Sequence, residues 1–301
     1  MIKNITSPSI ALLTADIGGS HITSAVYDHL KGQLDLASKR RLPVDCNAPA
    51  DVILGQWITA LQQSAQGYPV VNGLAMAMPG PFDYTNGISY IKGFSKYESL
   101  YGLNIRDYLA RALQIQPQAV RFRNDAESAI AGEAFAGAGN GRDRVVGLTL
   151  GTGFGSAVCV SGITKDLNWG AHRYQESIAD DYFSTRWFCV RYCEVTGLSA
   201  SGVKPIADAA DTDSRVAEIF NVFAENLAEF LLTRLSAHQP EVLMVSGNIS
   251  RAYRHFLEPL SRLLAPTVIR LSVLGETAAL AGAAALFIAP DQTNRSPINY
   301  Q

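Results

Sequence analysis

The chain begins with two short apolar segments on either side of a glycine pair. The segments are ALLTA and ITSAVYD, and each is short enough for a single strand. Two such runs around a glycine turn predict a β-hairpin. The next segment, GQLDLASKRRLPV, predicts a third strand of the same meander.

Helical periodicity follows the first meander. Five apolar residues recur at helical spacing and predict a helix that buries the face they share: Val52, Ile53, Trp57, Ile58 and Leu61. Later in the chain, Asn104 and Asp213 stand directly before two further apolar patterns, and both are predicted N-caps. The apolar segment VNGLAMAM stops at Pro-Gly-Pro, which predicts a strand that ends in a sharp loop.

The order strand, glycine cluster, strand occurs a second time. RVVGLTLGTGFGSAVCVSG resembles IALLTADIGGSHITSAVYD in order and character. The pattern then predicts a long helix (Ser214–Ala237), a strand, a helix around Tyr253–Leu264, a second strand and an alanine-rich helix (Glu276–Phe287). Two similar halves that each begin with a hairpin predict a duplicated two-domain α/β protein, with a cleft between the domains.

Composition is ordinary for a globular enzyme. The 301 residues are 48% hydrophobic and 17% charged, with a net charge of −2 and a pI near 6.2. This balance does not favour binding to nucleic acid or to an anionic membrane. No apolar run approaches the roughly 20 residues that span a bilayer. Four cysteines are typical of a reducing compartment, so we expect a cytoplasmic protein.

Neither glycine cluster fits the familiar nucleotide motifs. A dinucleotide fingerprint needs strand, G-x-G-x-x-G and then helix, whereas both clusters lead into strands. The Walker A pattern G-K-[ST] does not occur in the chain. The remaining interpretation is a pair of hairpins whose glycines let backbone N–H groups approach phosphate oxygens. The alternative is that each cluster is an ordinary turn.

Asp16 stands two residues before Gly18 and cannot face a phosphate without repulsion. Mg²⁺ favours one or two carboxylates together with substrate phosphates, so Asp16 is a candidate magnesium ligand. An Asp that closes an Asx-turn is the structural alternative.

The motifs together resemble the ROK family of sugar kinases, within the sugar kinase/actin/Hsp70 ATPase superfamily. The resemblance covers essentially the whole chain, in the family's order. The segments that carry it are ADIGGS, MAMPGPFD, RNDAESAIAGEAFAGAG, LTLGTGFGSAVCVSG, VSGNIS and GETAALAGAAALF. It implies two RNase-H-like (actin-like ATPase) domains with an interdomain cleft. The smaller would contain residues 1–123 and about 288–301, and the larger residues 124–287.

The resemblance also implies roles for individual residues. Asp125 would be the catalytic base that accepts a sugar hydroxyl proton, with Asn124 and Gly80 as substrate ligands. The residues implied to bind the nucleotide are Gly18, Gly19, Ser20, Gly151, Thr152, Gly153, Gly155, Gly247 and Asn248. Locally, RNDAES also fits a helix start in which Asn124 or Asp125 is only the N-cap.

The region that selects the sugar departs from the family pattern. The cysteine-rich zinc site of many members is absent, so no zinc is implied. Cys189 and Cys193 have helical spacing, and we expect buried structural thiols. His172 and Glu176 are candidate sugar ligands, although a structural role is the alternative for an isolated His. Asp180 and Asp181 are predicted in the first turn of a helix.

These observations lead to one main functional expectation and one alternative. We expect a kinase that uses ATP and Mg²⁺ to phosphorylate a hexose or N-acetylhexosamine, as a homodimer. The alternative is a weakly active or inactive sugar-sensing regulator on the same fold. ROK repressors resemble this chain with an added N-terminal helix-turn-helix domain, for which the residues before Asp16 leave no room.

Overall fold

The computed structural model describes residues 11–93 and 96–288. They form two compact units, of which the first draws on Met1–Gly132 and Glu276–Gln301 and the second on Glu133–Gly275. Residues 289–301, which include most of the C-terminal segment assigned to the small domain, lie outside the described residues. The domain boundaries at 123/124 and 287/288 stay a prediction.

The first unit is built on a five-stranded sheet in the order β3-β2-β1-β4-β7. Its strands, with two short strands of a separate hairpin (β5 and β6), are β1 (Ala11–Ile17), β2 (His21–Asp28), β3 (Gln33–Pro43), β4 (Val71–Met78), β5 (Phe82–Asp83), β6 (Ile88–Ser89) and β7 (Val120–Asn124). The β1–β2–β3 meander is antiparallel, and β4 and β7 extend it in parallel. The predicted hairpin and third strand are therefore confirmed.

Helices α1 (Ala50–Ser64) and α2 (Ile105–Leu113) contribute to the core of this unit. Asn104 is confirmed as the cap of α2, because its side chain accepts the Asp107 N–H at 3.1 Å. The predicted face of α1 was wrong at one end, since Val52 is exposed and Leu54 is buried in its place. The buried face of α1 includes Leu54 because this face is centred on Trp57 and Leu61, which are completely buried.

Helix α3 (Asp125–Ala136) begins directly after β7 and leads into the second unit. The sheet of that unit has the order β10-β9-β8-β13-β14. Its strands, and those of a separate short hairpin (β11 and β12), are β8 (Arg144–Leu150), β9 (Phe154–Val160), β10 (Ile163–Asp166), β11 (Arg173–Tyr174), β12 (Ser177–Ile178), β13 (Val242–Ser246) and β14 (Ile269–Leu271). An antiparallel meander is again followed by two parallel strands. The two sheets thus share one topology, as the repeated pattern predicted.

The helices of the second unit bury an aromatic core of Phe183, Phe188, Phe220, Phe223 and Phe230. They are α4 (Ala179–Tyr182), α5 (Thr185–Thr196), α6 (Val203–Ala210), α7 (Ser214–His238) and α8 (Leu257–Leu263). The Asp213 side chain accepts the Arg215 N–H at 2.9 Å, which confirms the predicted cap of α7. Asp180 and Asp181 lie in the first turn of α4, as expected.

Helix α9 (Ala278–Ala284) returns the chain to the first unit and crosses α3 at very short range. A Cβ on Gly132 would lie 1.9 Å from the Ala278 carbonyl oxygen, and a Cβ on Gly282 would lie 1.7 Å from that of Ser128. The Ser128 hydroxyl donates to the Ala279 carbonyl oxygen at 2.8 Å. Only glycine allows two helix backbones to approach this closely.

Within residues 11–93 and 96–288, no helix is both long and apolar enough to cross a membrane.

Candidate functional site

The β1–β2 turn directs its carbonyl groups into the protein. The Gly18 N–H donates to the His21 carbonyl oxygen at 2.9 Å and closes the turn. The Gly18 carbonyl oxygen accepts from the Tyr97 hydroxyl, and the Ser20 carbonyl oxygen accepts the Val44 N–H at 2.9 Å. Within the described part of the chain, the N–H groups of Gly19 and Ser20 have no acceptor, and both residues are exposed. Two adjacent free N–H groups can bind an anion.

Asp16 lies near the end of β1, beside this turn, and is half-buried. Burial and, to a smaller extent, the nearby charge of Asp125 raise the pKa of Asp16 to about 7, while the charge of Arg41 opposes the shift. No hydrogen-bond donor among the described residues relieves the carboxylate. A cation would remove this electrostatic cost, so the residue fits a Mg²⁺ whose other ligands are phosphate oxygens and water.

Asn124 and Asp125 stand where β7 passes into α3. The Asn124 side-chain oxygen accepts the Glu127 N–H at 3.1 Å, so Asn124 caps the N-terminus of α3. Its amide nitrogen donates to the Tyr84 hydroxyl at 3.2 Å. The Asp125 carboxylate is half-buried and accepts only the adjacent Ala126 N–H, at 2.9 Å, among the hydrogen bonds of the described residues. Its carboxylate oxygens therefore keep capacity to accept a further hydrogen bond.

The parallel strands explain why these residues share one edge. Register pairs Asp16 with Ala77 of β4 and Met78 of β4 with Asn124 of β7. The carboxyl ends of parallel strands are the usual ligand-binding edge of an α/β sheet. Gly80 follows β4 at this edge and is half-buried. The first unit therefore brings together the Asp16 turn, Gly80, Asn124 and Asp125.

The β8–β9 turn of the second unit is organised like the β1–β2 turn. The Gly151 N–H donates to the Gly153 carbonyl oxygen at 3.0 Å, and the Gly151 carbonyl oxygen accepts both the N–H and the hydroxyl of Thr185, at 2.7 and 2.9 Å. The N–H groups of Thr152 and Gly153 have no acceptor in the described ranges. Gly155 lies within β9, paired with Thr149.

Gly247 and Asn248 follow β13 at the same edge of the second sheet. Gly247 has φ of 91°, and a Cβ there would lie 2.2 Å from the Leu150 carbonyl oxygen. Glycine is therefore required where the chain passes the start of the β8–β9 turn. Both residues are exposed.

The predicted sugar ligands of the second unit lie apart from its core. His172 follows a short 3₁₀ helix and Glu176 lies between β11 and β12, and both are exposed. Asp180 contacts the β8–β9 turn instead, because its carboxylate accepts the Phe154 N–H at 2.6 Å. The Asp180 side chain thus fixes the end of the turn opposite Thr185.

The two cysteines at helical spacing are not both buried, as had been expected. Cys189 is half-buried, and burial raises the pKa of its thiol, whereas Cys193 is exposed. Cys193 lies on the side of the helix opposite Trp187 and Phe188, the two residues of the helix that are buried in the core. No group of three or more His, Cys, Asp or Glu residues that could hold a metal occurs in the part of the chain that the structure describes.

Three residues that contact the turns were not identified as functional from the sequence: Tyr97, Asp180 and Thr185. Tyr97 is 79 positions from Gly18 and Thr185 is 34 positions from Gly151. No local pattern marks such long-range contacts.

Known proteins resemble this chain over most of its length. A family model described as the ROK family matches residues 12–170. A glucokinase of Thermotoga maritima is 27% identical over 284 residues, which are 84% of this chain and 86% of the relative. An N-acetyl-D-glucosamine kinase of Haemophilus influenzae is 24% identical over 311 residues, covering 91% of this chain and 98% of the relative.

Among solved structures, a ROK family glucokinase from Streptomyces griseus in complex with glucose and AMPPNP has a TM-score of 0.72 at 22% identity. The match covers 92% of this chain and 98% of that one. The expected fold class is thereby confirmed. Because the family model spans more than half of the residues, the chain belongs to the ROK family, as its motifs predicted.

Proposed function

We propose that this sugar kinase of the ROK family transfers the γ-phosphoryl group of ATP to a hydroxyl of a hexose or N-acetylhexosamine. The observation that carries the proposal is the shared design of the two turns. In each turn two carbonyl oxygens accept hydrogen bonds within the protein, and two adjacent N–H groups have no acceptor among the described residues, at Gly19–Ser20 and at Thr152–Gly153. Such pairs are suited to the phosphate oxygens of a nucleotide.

Asp125 is the proposed base. When the sugar oxygen bonds to the γ-phosphorus, the bond from that phosphorus to the ADP oxygen breaks, and the hydroxyl proton passes to the Asp125 carboxylate. Little activation of the hydroxyl is needed because the transition state of phosphoryl transfer is loose. Asn124, with its amide oxygen engaged in the helix cap, has N–H capacity left for a sugar hydroxyl.

Asp16 is the proposed carboxylate for Mg²⁺, directly or through water. When bound, this ion would neutralise phosphate charge as it develops on the leaving group. Asp16 contributes a negative charge that no donor of the described residues satisfies. Gly247 and Asn248, at the carboxyl end of β13, are proposed to face the nucleoside.

The sugar ligands of the second unit are proposed to be His172 and Glu176, with Asn124 and Gly80 from the first. Glucokinase and N-acetylglucosamine kinase relatives support a hexose or N-acetylhexosamine as acceptor. The side chains of His172 and Glu176 are exposed and carry the donors and acceptors that sugar hydroxyls require.

ADP release with Mg·ATP over a panel of hexoses, N-acetylhexosamines and their epimers tests the function. We expect one or a few sugars to stimulate ADP release far above the rate with water as acceptor. Sugar binding without sugar-dependent ADP release from any member of the panel would instead support the sugar-sensing alternative.

A homodimer remains part of the proposal. Helix α5 of the second unit exposes the apolar side chains of Val190 and Val195, and exposed apolar side chains suit contact with a second copy. Sedimentation velocity would show a dimer, and a monomer at micromolar concentration would contradict it.

A further inference from the structure

We propose that Tyr97 is a positioning residue for the nucleotide: its hydroxyl fixes the Gly18–Gly19 peptide so that the Gly19 N–H points out toward a phosphate. The inference rests on the proposed function, because it assumes that the β1–β2 turn binds the phosphate chain of ATP. It assigns a role to a side chain that contacts the turn from inside and does not contact the nucleotide.

Tyr97 is held firmly from both ends. Its side chain is completely buried, and its ring packs edge-on against Trp57 with 5.6 Å between ring centroids. Its N–H donates to the Cys46 carbonyl oxygen at 2.7 Å. The backbone has φ of 57°, a left-handed conformation that costs free energy for a residue with a Cβ. The surrounding contacts therefore hold the hydroxyl in one place.

That hydroxyl lies 2.5 Å from the Gly18 carbonyl oxygen. The carbonyl of Gly18 and the N–H of Gly19 belong to the same planar peptide group, and in a trans peptide they point in opposite directions. The Gly18–Gly19 bond is trans, since the cis bonds of the described chain precede Pro81 and Pro266. A donor that holds the carbonyl inward thus directs the next N–H outward.

The turn needs this constraint because of its sequence. Two consecutive glycines have access to both signs of φ, so the peptide between them can rotate at little steric cost. Rotation would replace the outward N–H by a carbonyl oxygen, which repels phosphate. Within the described residues, the Tyr97 hydroxyl is the one donor to the Gly18 carbonyl oxygen.

The second turn uses the same arrangement with a different residue. The Gly151 carbonyl oxygen is held by the N–H and the hydroxyl of Thr185, and the Thr152 N–H of the same peptide has no acceptor among the described residues. In both units, therefore, a donor from a distant segment binds the carbonyl that precedes a free N–H. Because this arrangement occurs independently in the second turn, it supports a role in anion binding for the arrangement in the β1–β2 turn.

The test compares Tyr97→Phe with Tyr68→Phe. The first variant keeps the ring packed on Trp57 and removes only the hydroxyl. The second removes a tyrosine hydroxyl of the same unit that donates to the Asp35 carboxylate at 2.8 Å, far along β3 from the turn. Binding of a non-hydrolysable ATP analogue is measured by calorimetry, beside kcat and the KM values for ATP and for the preferred sugar.

We expect Tyr97→Phe to raise the analogue Kd and the KM for ATP roughly 3- to 10-fold, the effect of one lost hydrogen bond. The KM for sugar should stay within about twofold in both variants, and Tyr68→Phe should bind the analogue like the wild type. Unchanged nucleotide binding in Tyr97→Phe, or an equal rise in the KM for sugar, would overturn the positioning role alone. A wild-type protein that binds no ATP analogue would overturn the proposed function, and this role with it.

Discussion

Asp16 carries an electrostatic cost that the charge of Arg41 relieves only in part. Burial and the Asp125 charge raise its pKa to about 7, well above the 3.8 of an unfolded chain. Between these two pH values the folded protein holds a proton on Asp16 that the unfolded chain has lost. The free energy of unfolding therefore falls as pH rises from about 4 to 7, and the penalty is complete above pH 7.

Substitution of Asp16 should stabilise the metal-free protein. One pKa unit corresponds to about 1.4 kcal/mol, and solvent at this half-buried position screens part of the shift. We expect Asp16→Asn to raise the free energy of unfolding by roughly 1–3 kcal/mol at pH 8 and to change it little at pH 4. Urea denaturation at both pH values, without Mg²⁺ or nucleotide, measures the difference.

The same variant should lose the stabilisation that ligands provide. With Mg·ATP analogue present, the wild type should gain more stability than Asp16→Asn, because only the wild type offers the carboxylate. A variant that is less stable than the wild type at both pH values would contradict the view that Asp16 is strained in the absence of a cation.

The role of Asp125 can be tested against Asp107, because each carboxylate lies in the first turn of a helix. Asp125→Asn should lower kcat about 10²- to 10⁴-fold, the usual contribution of a general base, with smaller changes in KM. Asp107→Asn is the matched control, since Asp107 lies in the first turn of α2 and has no proposed catalytic role. Steady-state rates for both variants show whether the fall in kcat comes from removal of the base or from removal of a negative charge at a helix start.

At the scale of elements, the crossing of α3 and α9 is the most constrained contact. Gly132→Ala would bring a methyl group 1.9 Å from the Ala278 carbonyl oxygen, so the helices must separate. Overpacking of this kind costs about 1–3 kcal/mol. We expect the urea midpoint of Gly132→Ala to fall accordingly.

Gly55→Ala is the control for the crossing. Gly55 is exposed within α1, with nothing within 4 Å of a Cβ at that position, and alanine favours helix by up to about 1 kcal/mol. This variant should be more stable than the wild type. Equal behaviour of the two substitutions would show that the close approach of α3 and α9 does not limit stability.

The sequence predicted those elements whose signals are local. Glycine turns between short strands indicated both hairpins, and the caps at Asn104 and Asp213 fixed the starts of α2 and α7. The alanine-rich helix is shorter than the predicted Glu276–Phe287, because 3₁₀ turns flank Ala278–Ala284.

The candidate site was only partly predictable for the same reason. Asp16, Asn124 and Asp125 follow strands, and parallel register brings them to one edge. Tyr97, Asp180 and Thr185 reach the turns from distant segments, so their contacts depend on tertiary packing that no periodicity records. The face of α1 was misassigned at Val52 because helical spacing alone does not give the direction of the sheet.

For the whole molecule, the repeated sheet topology explains why both units carry a glycine turn with unpartnered N–H groups among the described residues. Each sheet places a glycine turn at the carboxyl end of its first strand, and each turn exposes two N–H groups that have no acceptor in the described ranges. The candidate site residues are not duplicated: Asp16 and Asp125 belong to the first unit, and the exposed His172 and Glu176 belong to the second. We infer that the first unit carries the proposed base and metal ligand, and that the turn of each unit can donate to phosphate.

Formation of sugar phosphate and ADP by wild type and Asp125→Asn, with nucleotide and sugar binding measured on the same preparations, tests the central claim most directly. The account predicts equimolar products from the wild type, and a variant that binds both substrates but forms products at least about 100-fold more slowly. A variant that turns over at the wild-type rate would contradict the role of Asp125, and a wild type that binds both substrates without forming sugar phosphate would contradict the kinase.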